Sequence, residues 1–254
     1  MRQESGGGAT ISPAIPRVAL VTGGVRRIGR AVVVALAQEG FSIALHCRSH
    51  ADEARALLRT LDVPGHVLKA DLSQEDQVSR LVSEARDVLG PVGVLINNAS
   101  VFERDEWHDA SRDSWDRHIE TNLRAPFVLM QDFARLLPDD AKGMILNLLD
   151  QRVWNPTPHF VSYTLSKAGL WTLTQTMALA LAPRIRVNAI GPGPVLPAIG
   201  QSDEHFERIR NNSPLQTGAD LEEIVVAMRS LLRMPSVTGQ MIALDGGQHL
   251  QWRA

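Results

Sequence analysis

The chain has 254 residues, 44% of them hydrophobic and 21% charged, with 26 Lys and Arg against 28 Asp and Glu for a formal net charge of −2. That length allows one large α/β domain whose core needs neither disulfide nor metal, and the near-neutral balance argues against nucleic acid or an anionic membrane surface as partner. The single cysteine, Cys47, excludes an internal disulfide and fits a reducing cytoplasm.

Residues 1–16 are polar and glycine-rich and read as a disordered leader without the apolar centre of a secretory signal. Residues 17–254 read as one domain, with no apolar stretch long enough to span a membrane. The apolar pattern predicts a strand at 17–22, a helix at 27–38, a strand at 41–46 and a helix from about 51 to 61. A strand at 65–69 and a helix at 74–89 follow, then a strand at 94–96 and a long helix around 115–136. The rest is a strand at 143–148, a helix at 161–181 and strands at 186–189 and 241–244. Strand-helix alternation with strands apolar on both faces predicts a doubly wound, mostly parallel seven-stranded sheet flanked by helices. The proline-bearing stretch at about 194–217 reads as a substrate lid.

Between the first strand and first helix lies Thr22-Gly23-Gly24-Val25-Arg26-Arg27-Ile28-Gly29. Glycines there let backbone approach a pyrophosphate, and a helix N-terminus offers free N–H groups and the positive end of its dipole. A plain tight turn fits a glycine pair too, but the position favours phosphate. Arg26 and Arg27 oppose the dipole unless an anion sits beside them, and a guanidinium fork matches phosphate. After the second strand, His46-Cys47-Arg48-Ser49 offers no acidic residue for a ribose 2′-hydroxyl. Arg48 and Ser49 suit a 2′-phosphate, which points to NADPH as cofactor.

Tyr163, the only tyrosine, and Lys167 are four apart at the start of a predicted helix and share a face. A cation beside a phenol lowers its pKa and makes it a usable proton donor near neutral pH. On this pair and on Thr22-Gly23…Gly29, Asp71-Leu72, Asn97-Asn98-Ala99, Asn122, Arg186-Val187-Asn188, Pro192-Gly193, Thr238-Gly239-Gln240 and Asp245-Gly246-Gly247, the chain resembles the short-chain dehydrogenase/reductase family. The resemblance implies a Rossmann-type fold, a homotetramer, Tyr163 as proton donor and Lys167 on the nicotinamide ribose. It further implies Asn122 holding a relay water, Asp71 and Leu72 at the adenine, and Thr22, Gly23, Ile28, Gly29, His46, Asn98, Ala99, Pro192 and Gly193 around the cofactor.

Two positions depart from that pattern: the family's glycine at position 27 is arginine, and its catalytic serine, thirteen residues before the tyrosine, is Asp150. A carboxylate opposes the negative charge that grows on oxygen in C=O reduction. Reduction of C=N needs a proton at nitrogen, which a carboxyl group beside the tyrosine helps deliver. Arg27, Asp150, Asn98-Ala99-Ser100-x-Phe102 and the 46–49 stretch are similar to the pteridine reductase branch. That resemblance implies Phe102 stacked on a pterin against the nicotinamide, Arg27 and Ser100 at the cofactor phosphates or pterin edge, and Asp150 with Tyr163 at the reacting nitrogen. Three functions stay open: reduction of a pterin or dihydropterin, dihydrofolate included; reduction of a 3-oxoacyl, sugar or steroid ketone; and non-catalytic NADPH sensing. No zinc motif is readable, and His46 and His50 fall at a strand end and loop. The acidic residues of 103–116 read as a solvated loop and helix start, Met228 and Met234 as packing residues, and Trp107 and Trp154 suit a pocket wall or packing equally.

Overall fold

The first apolar run, Val18–Val21, is buried at all four positions, which only a strand covered on both faces achieves. Val18 and Leu20 join one core and Ala19 and Val21 the other, the period of two that a pleated strand imposes. In the computed structural model, which describes residues 10–197 and 202–251, this strand is β1. After it come α1 (Arg27–Gln38), β2 (Ser42–Cys47), α2 (Ala51–Leu58), β3 (Gly65–Lys69), α3 (Glu75–Val78), α4 (Leu81–Leu89) and β4 (Val94–Asn97). Then follow α5 (Arg112–Ile119), a π-helical turn (Glu120–Arg124), α6 (Ala125–Leu136), β5 (Gly143–Leu148), a 3-10 turn (Gln151–Val153) and α7 (Val161–Ala180). The last elements are β6 (Ile185–Pro192), α8 (Asp203–Asn211), α9 (Leu221–Arg233), β7 (Met241–Leu244) and a short 3-10 turn (Gln248–Leu250).

The seven strands pair in the order β3-β2-β1-β4-β5-β6-β7, and every pairing is parallel. The sheet is thus wholly, not mostly, parallel, and the fold is Rossmann-like. One core holds α4, α6 and α7 against the sheet, the other α1, α2 and α9. On α1, Val32, Val33 and Leu36 are completely buried; each such side chain contributes about 1.5–3 kcal/mol relative to exposure. No helix among the described residues is long and apolar enough to cross a membrane.

Several sequence expectations need correction. Residues 1–9 of the expected leader lie outside the described residues, but 10–16 are tied to the core: Ile11 and Ile15 are buried, and Lys142 donates its N–H to the Ala14 carbonyl at 2.9 Å. A Cβ at Gly93 would come within 2.1 Å of the Pro16 carbonyl, so glycine there lets the segment pass. The helix expected at 74–89 is two helices, and the one expected at 115–136 begins at Arg112 and widens into the π turn. The sixth strand runs four residues longer than expected, over Ile185–Pro192. The lid stretch contains α8, capped by the Ser202 hydroxyl, which accepts the His205 N–H at 3.2 Å; residues 198–201 lie outside the described residues. Helix α9 was not foreseen. Met228 is buried on it, whereas Met234 at its end is half-exposed and does not pack as expected.

Candidate active site

The chain winds outward from β1 through β2 to β3, then crosses back to β4 on the other side of β1. Ligands of such sheets bind beyond the carboxyl ends of the two strands where the order reverses. There the Thr22 hydroxyl donates to the Ile96 carbonyl (3.3 Å) and accepts the N–H groups of Asn98 (2.9 Å) and Ala99 (3.0 Å). The Asn98 amide donates back to the carbonyls of Thr22 (2.9 Å) and Gly23 (3.0 Å). Gly23 has φ +62, and a Cβ at Gly29 would lie 2.2 Å from the Gly23 oxygen, so the loop closes this tightly only with glycine. Arg26 caps α1 without a side-chain hydrogen bond, and the first turn has no acidic residue. The free N–H groups of that turn suit a phosphate. Ile28 is partly buried against the core beside them.

His46 takes a different part from the one expected. It is buried, its Nδ1 accepts the Gly23 N–H (3.2 Å) and its Nε2 faces the Ala70 carbonyl (3.1 Å). An accepting Nδ1 requires the proton on Nε2, so the ring is neutral; burial pushes its pKa down to about 4. His46 shapes the glycine loop from behind. Arg26 likewise pairs with Glu53 on α2, at 2.5 and 2.9 Å, and is not held for phosphate. Arg27 stands at φ +53, where the family glycine sits without strain, and donates to the carbonyls of Pro197 (2.8 Å) and Leu196 (3.1 Å). Its fork thus bridges the loop to the segment after β6. Arg48 and Ser49 are exposed at the end of β2. Asp71 is held below the usual carboxylate range first by the Ser73 N–H, against burial, then by the Ser73 hydroxyl and the Arg48 charge. Leu72 beside it is buried. Pro192 is buried, and the Gly193 N–H donates to Leu244 (2.9 Å) at the rim of β6 and β7.

Across the crevice stands α7. Tyr163 is 5% exposed, and its hydroxyl donates to Asp150 Oδ2 at 2.9 Å. Asp150 Oδ1 accepts the Arg152 N–H at 2.8 Å. Lys167 is buried and donates to the Leu148 carbonyl on β5 at 2.8 Å, with Nζ 5.9 Å from the Tyr163 ring centre. Burial first, then Asp150, pushes the Tyr163 pKa well above its ordinary value, and burial pulls Lys167 down to about 8. The expected lowering of the phenol is therefore reversed: Tyr163 keeps its proton and directs it at a carboxylate. Asn122, in the π turn, is fully buried. Its amide brackets the Val101 backbone, accepting the N–H (2.8 Å) and donating to the carbonyl (2.9 Å), and also donates to Ser166 (3.1 Å). It fixes the segment carrying Ser100 and Phe102. Ser100 is exposed, its hydroxyl turned to the Val101 carbonyl (3.2 Å).

Phe102 is 44% exposed, lies edge-on to Tyr163 at 4.7 Å and is stacked on Phe160 at 4.6 Å and 5°. The Arg152 guanidinium sits 4.9 Å from the Phe160 ring centre and 5.3 Å from that of Phe102. Phe160 and Arg152 were not singled out in the sequence. Phe160 has φ +59 and Arg152 lies in a 3-10 turn, so neither gives a periodic signal. Trp107 is 85% exposed and walls nothing, while Trp154 packs edge-on against Trp171 and His249.

The short chain dehydrogenase family profile matches residues 17–208. The chain is 30% identical over 240 residues to the 3-oxoacyl-[acyl-carrier-protein] reductase FabG of Staphylococcus epidermidis, covering 91% of this chain and 98% of that one. In structure it is similar to FolM alternative dihydrofolate reductase 1 of Brucella canis, complexed with NADP. The TM-score is 0.91 at 46% identity, over 95% of this chain and 97% of that one. A blue fluorescent protein from a metagenomic library, in complex with NADPH, follows at TM-score 0.84 and 30% identity, over 93% and 99% of the two chains.

Proposed function

The chain belongs to the short-chain dehydrogenase family, and from that premise we propose that it reduces a C=N bond of a pterin or dihydropterin with NADPH. The observation that carries the reading is the 2.9 Å hydrogen bond from Tyr163 to Asp150. A carboxylate there favours positive charge on a ring nitrogen taking up a proton and opposes negative charge on a nascent alkoxide. Two unit charges about 4 Å apart at an effective dielectric near 20 interact by about 4 kcal/mol, so the sign matters to the rate. The 46% identity to an alternative dihydrofolate reductase supports the same substrate class.

NADPH fits the residues present. The Gly23–Gly29 turn closes only without a Cβ, and Arg48 and Ser49 are free of any acidic neighbour in the 46–49 stretch. Thr22, Gly23, Ile28, Gly29, Asn98, Ala99, Pro192 and Gly193 would hold it, with Asp71 and Leu72 at the adenine, and when bound it supplies the hydride. The protein's own part is then fourfold. Tyr163 donates its proton to the ring nitrogen. Asp150 aims the hydroxyl and stabilises the protonated nitrogen. Lys167, fixed to Leu148, keeps a positive charge behind the phenol as it gives up its proton. Phe102 offers a flat apolar face for an aromatic ring.

NADPH consumption with dihydrobiopterin, dihydromonapterin and dihydrofolate tests the reading; no turnover with any of them overturns it. The similarity to FabG favours one alternative, reduction of a 3-oxoacyl thioester, and that substrate belongs in the same panel. The family resemblance extends the proposal to a homotetramer, which light scattering on the purified protein checks, and the single cysteine supports a cytoplasmic setting.

A further inference from the structure

Behind Tyr163, away from the reacting groups, three polar side chains are buried together: Asp105 at 4% exposure and His118 and Ser162 at 0%. The sequence put Asp105 in a solvated acidic stretch, and the structure corrects that. The Glu103 N–H donates to His118 Nε2 (3.1 Å), so the imidazole proton sits on Nδ1. Nδ1 faces the Ser114 carbonyl (2.9 Å) and Ser162 Oγ (2.7 Å). Ser162 in turn gives its hydroxyl proton to Asp105, which also accepts the Ser114 hydroxyl (3.1 Å) and the Ser162 N–H (3.2 Å). Burial pushes the His118 pKa down, in keeping with a neutral ring. At Asp105 burial opposes the charge, and the hydrogen bonds from Ser162 and Ser114 outweigh it.

This Ser, His and Asp set is not a nucleophile. The serine proton is committed to the carboxylate, and the acceptor nitrogen of the histidine is taken by a backbone N–H, so the imidazole offers the hydroxyl no base. Its other partners are the walls of the site. Glu103 follows Phe102 directly. The Asp105 carbonyl accepts the N–H of Phe160 (2.9 Å) and of Val161 (3.4 Å), holding the left-handed turn at Phe160 from which α7 departs. Ser162 precedes Tyr163, and the His118 ring meets the Tyr163 ring edge-on at 6.0 Å.

We propose that Asp105, His118 and Ser162 are positioning residues that hold the Tyr163 phenol against Asp150 and keep the Phe102 and Phe160 segments in register. The proposal rests on the reading of Tyr163 as the proton donor. Breaking the chain at Ser162 frees the start of α7, so the phenol loses both the burial and the carboxylate contact that keep it protonated.

Because Tyr163 is the only tyrosine, phenolate absorbance during alkaline titration reports it alone and needs no substrate. In the wild type that absorbance rises only with alkaline unfolding, followed by circular dichroism. In Ser162→Ala it rises at least about one pH unit below the pH at which that variant's circular dichroism changes, a tenfold or greater change in proton affinity. The same variant lowers kcat with a dihydropterin about tenfold or more while NADPH affinity stays within about twofold, and Ser162→Thr, which keeps the hydroxyl, restores both. If Ser162→Ala does not fold, His118→Asn, which loses the acceptor for Glu103, carries the same expectations. Wild-type titration and turnover in the variant, or a parallel fall in NADPH affinity, overturns the proposal. A wild type inactive toward pterins defeats the functional reading instead, and the titration still tests the cluster.

Discussion

The glycine loop after β1 and the wall at the start of α7 face each other across one crevice and are held by opposite means. The loop is backbone locked by neutral groups: Thr22, Asn98 and an uncharged His46 satisfy its carbonyls and N–H groups, and glycines at 23 and 29 permit the approach. The wall is made of side chains with charge or π character: Asp150 against Tyr163, Arg152 beside Phe102 and Phe160, and Lys167 buried behind. Sterics fix the first. Side-chain identity fixes the second, where Asp150 stands in place of the family's serine. Cofactor binding and choice of substrate are therefore separable properties of this protein.

The largest effect expected of that separation comes from Tyr163→Phe. It lowers kcat/KM by about 10²- to 10⁴-fold and leaves NADPH affinity, read by quenching of protein fluorescence, within about twofold. An equal loss of cofactor binding would join the two regions into one.

Acid challenges the loop. His46 has a folded pKa of about 4 against an ordinary 6.5. Between those values the unfolded chain binds a proton that the folded one refuses, so stability is full above pH 6.5, falls as pH drops toward 4, and levels off below. The loss is about 3 kcal/mol in all, and urea midpoints across that range should fall more steeply for the wild type than for His46→Gln. Gly29→Ala strikes the same loop sterically. Its Cβ would lie 2.7 Å from Asn98 Nδ2 as well as against the Gly23 carbonyl. It should cost about 1–3 kcal/mol in stability and weaken NADPH binding.

The mildest expected effect is a basic limb in kcat/KM. Lys167 loses its charge near pH 8, so activity in the free enzyme falls to half there. A rate flat through pH 9 would separate Lys167 from the proton transfer.

Much of this was legible before any coordinates. The central strands announce themselves by apolar runs buried on both faces, and Tyr163, Lys167 and Asp150 by spacing and by departure from a family pattern. Helix α9 was missed although Asp220 and Glu223 form a capping box ahead of an apolar stripe, a signal present in the sequence. Other features had no local signal. Asp105 sits between Glu103 and Asp109, which are exposed, and its buried carboxylate is met by Ser162, 57 residues away. Arg26 looks like a phosphate ligand until Glu53, 27 residues on, claims it. Ile11 and Ile15 lie in a polar stretch, and their burial follows from the room that Gly93 leaves at the start of the central strand β4.

The central claim is that Asp150 selects a nitrogen over an oxygen as the proton's destination, and Asp150→Ser assayed with a dihydropterin and a 3-oxoacyl thioester side by side tests it most directly. The account predicts that kcat/KM falls about ten- to hundredfold for the dihydropterin while the ketone rate holds or rises. A dihydropterin rate that survives the change, or two rates that fall together, would contradict it.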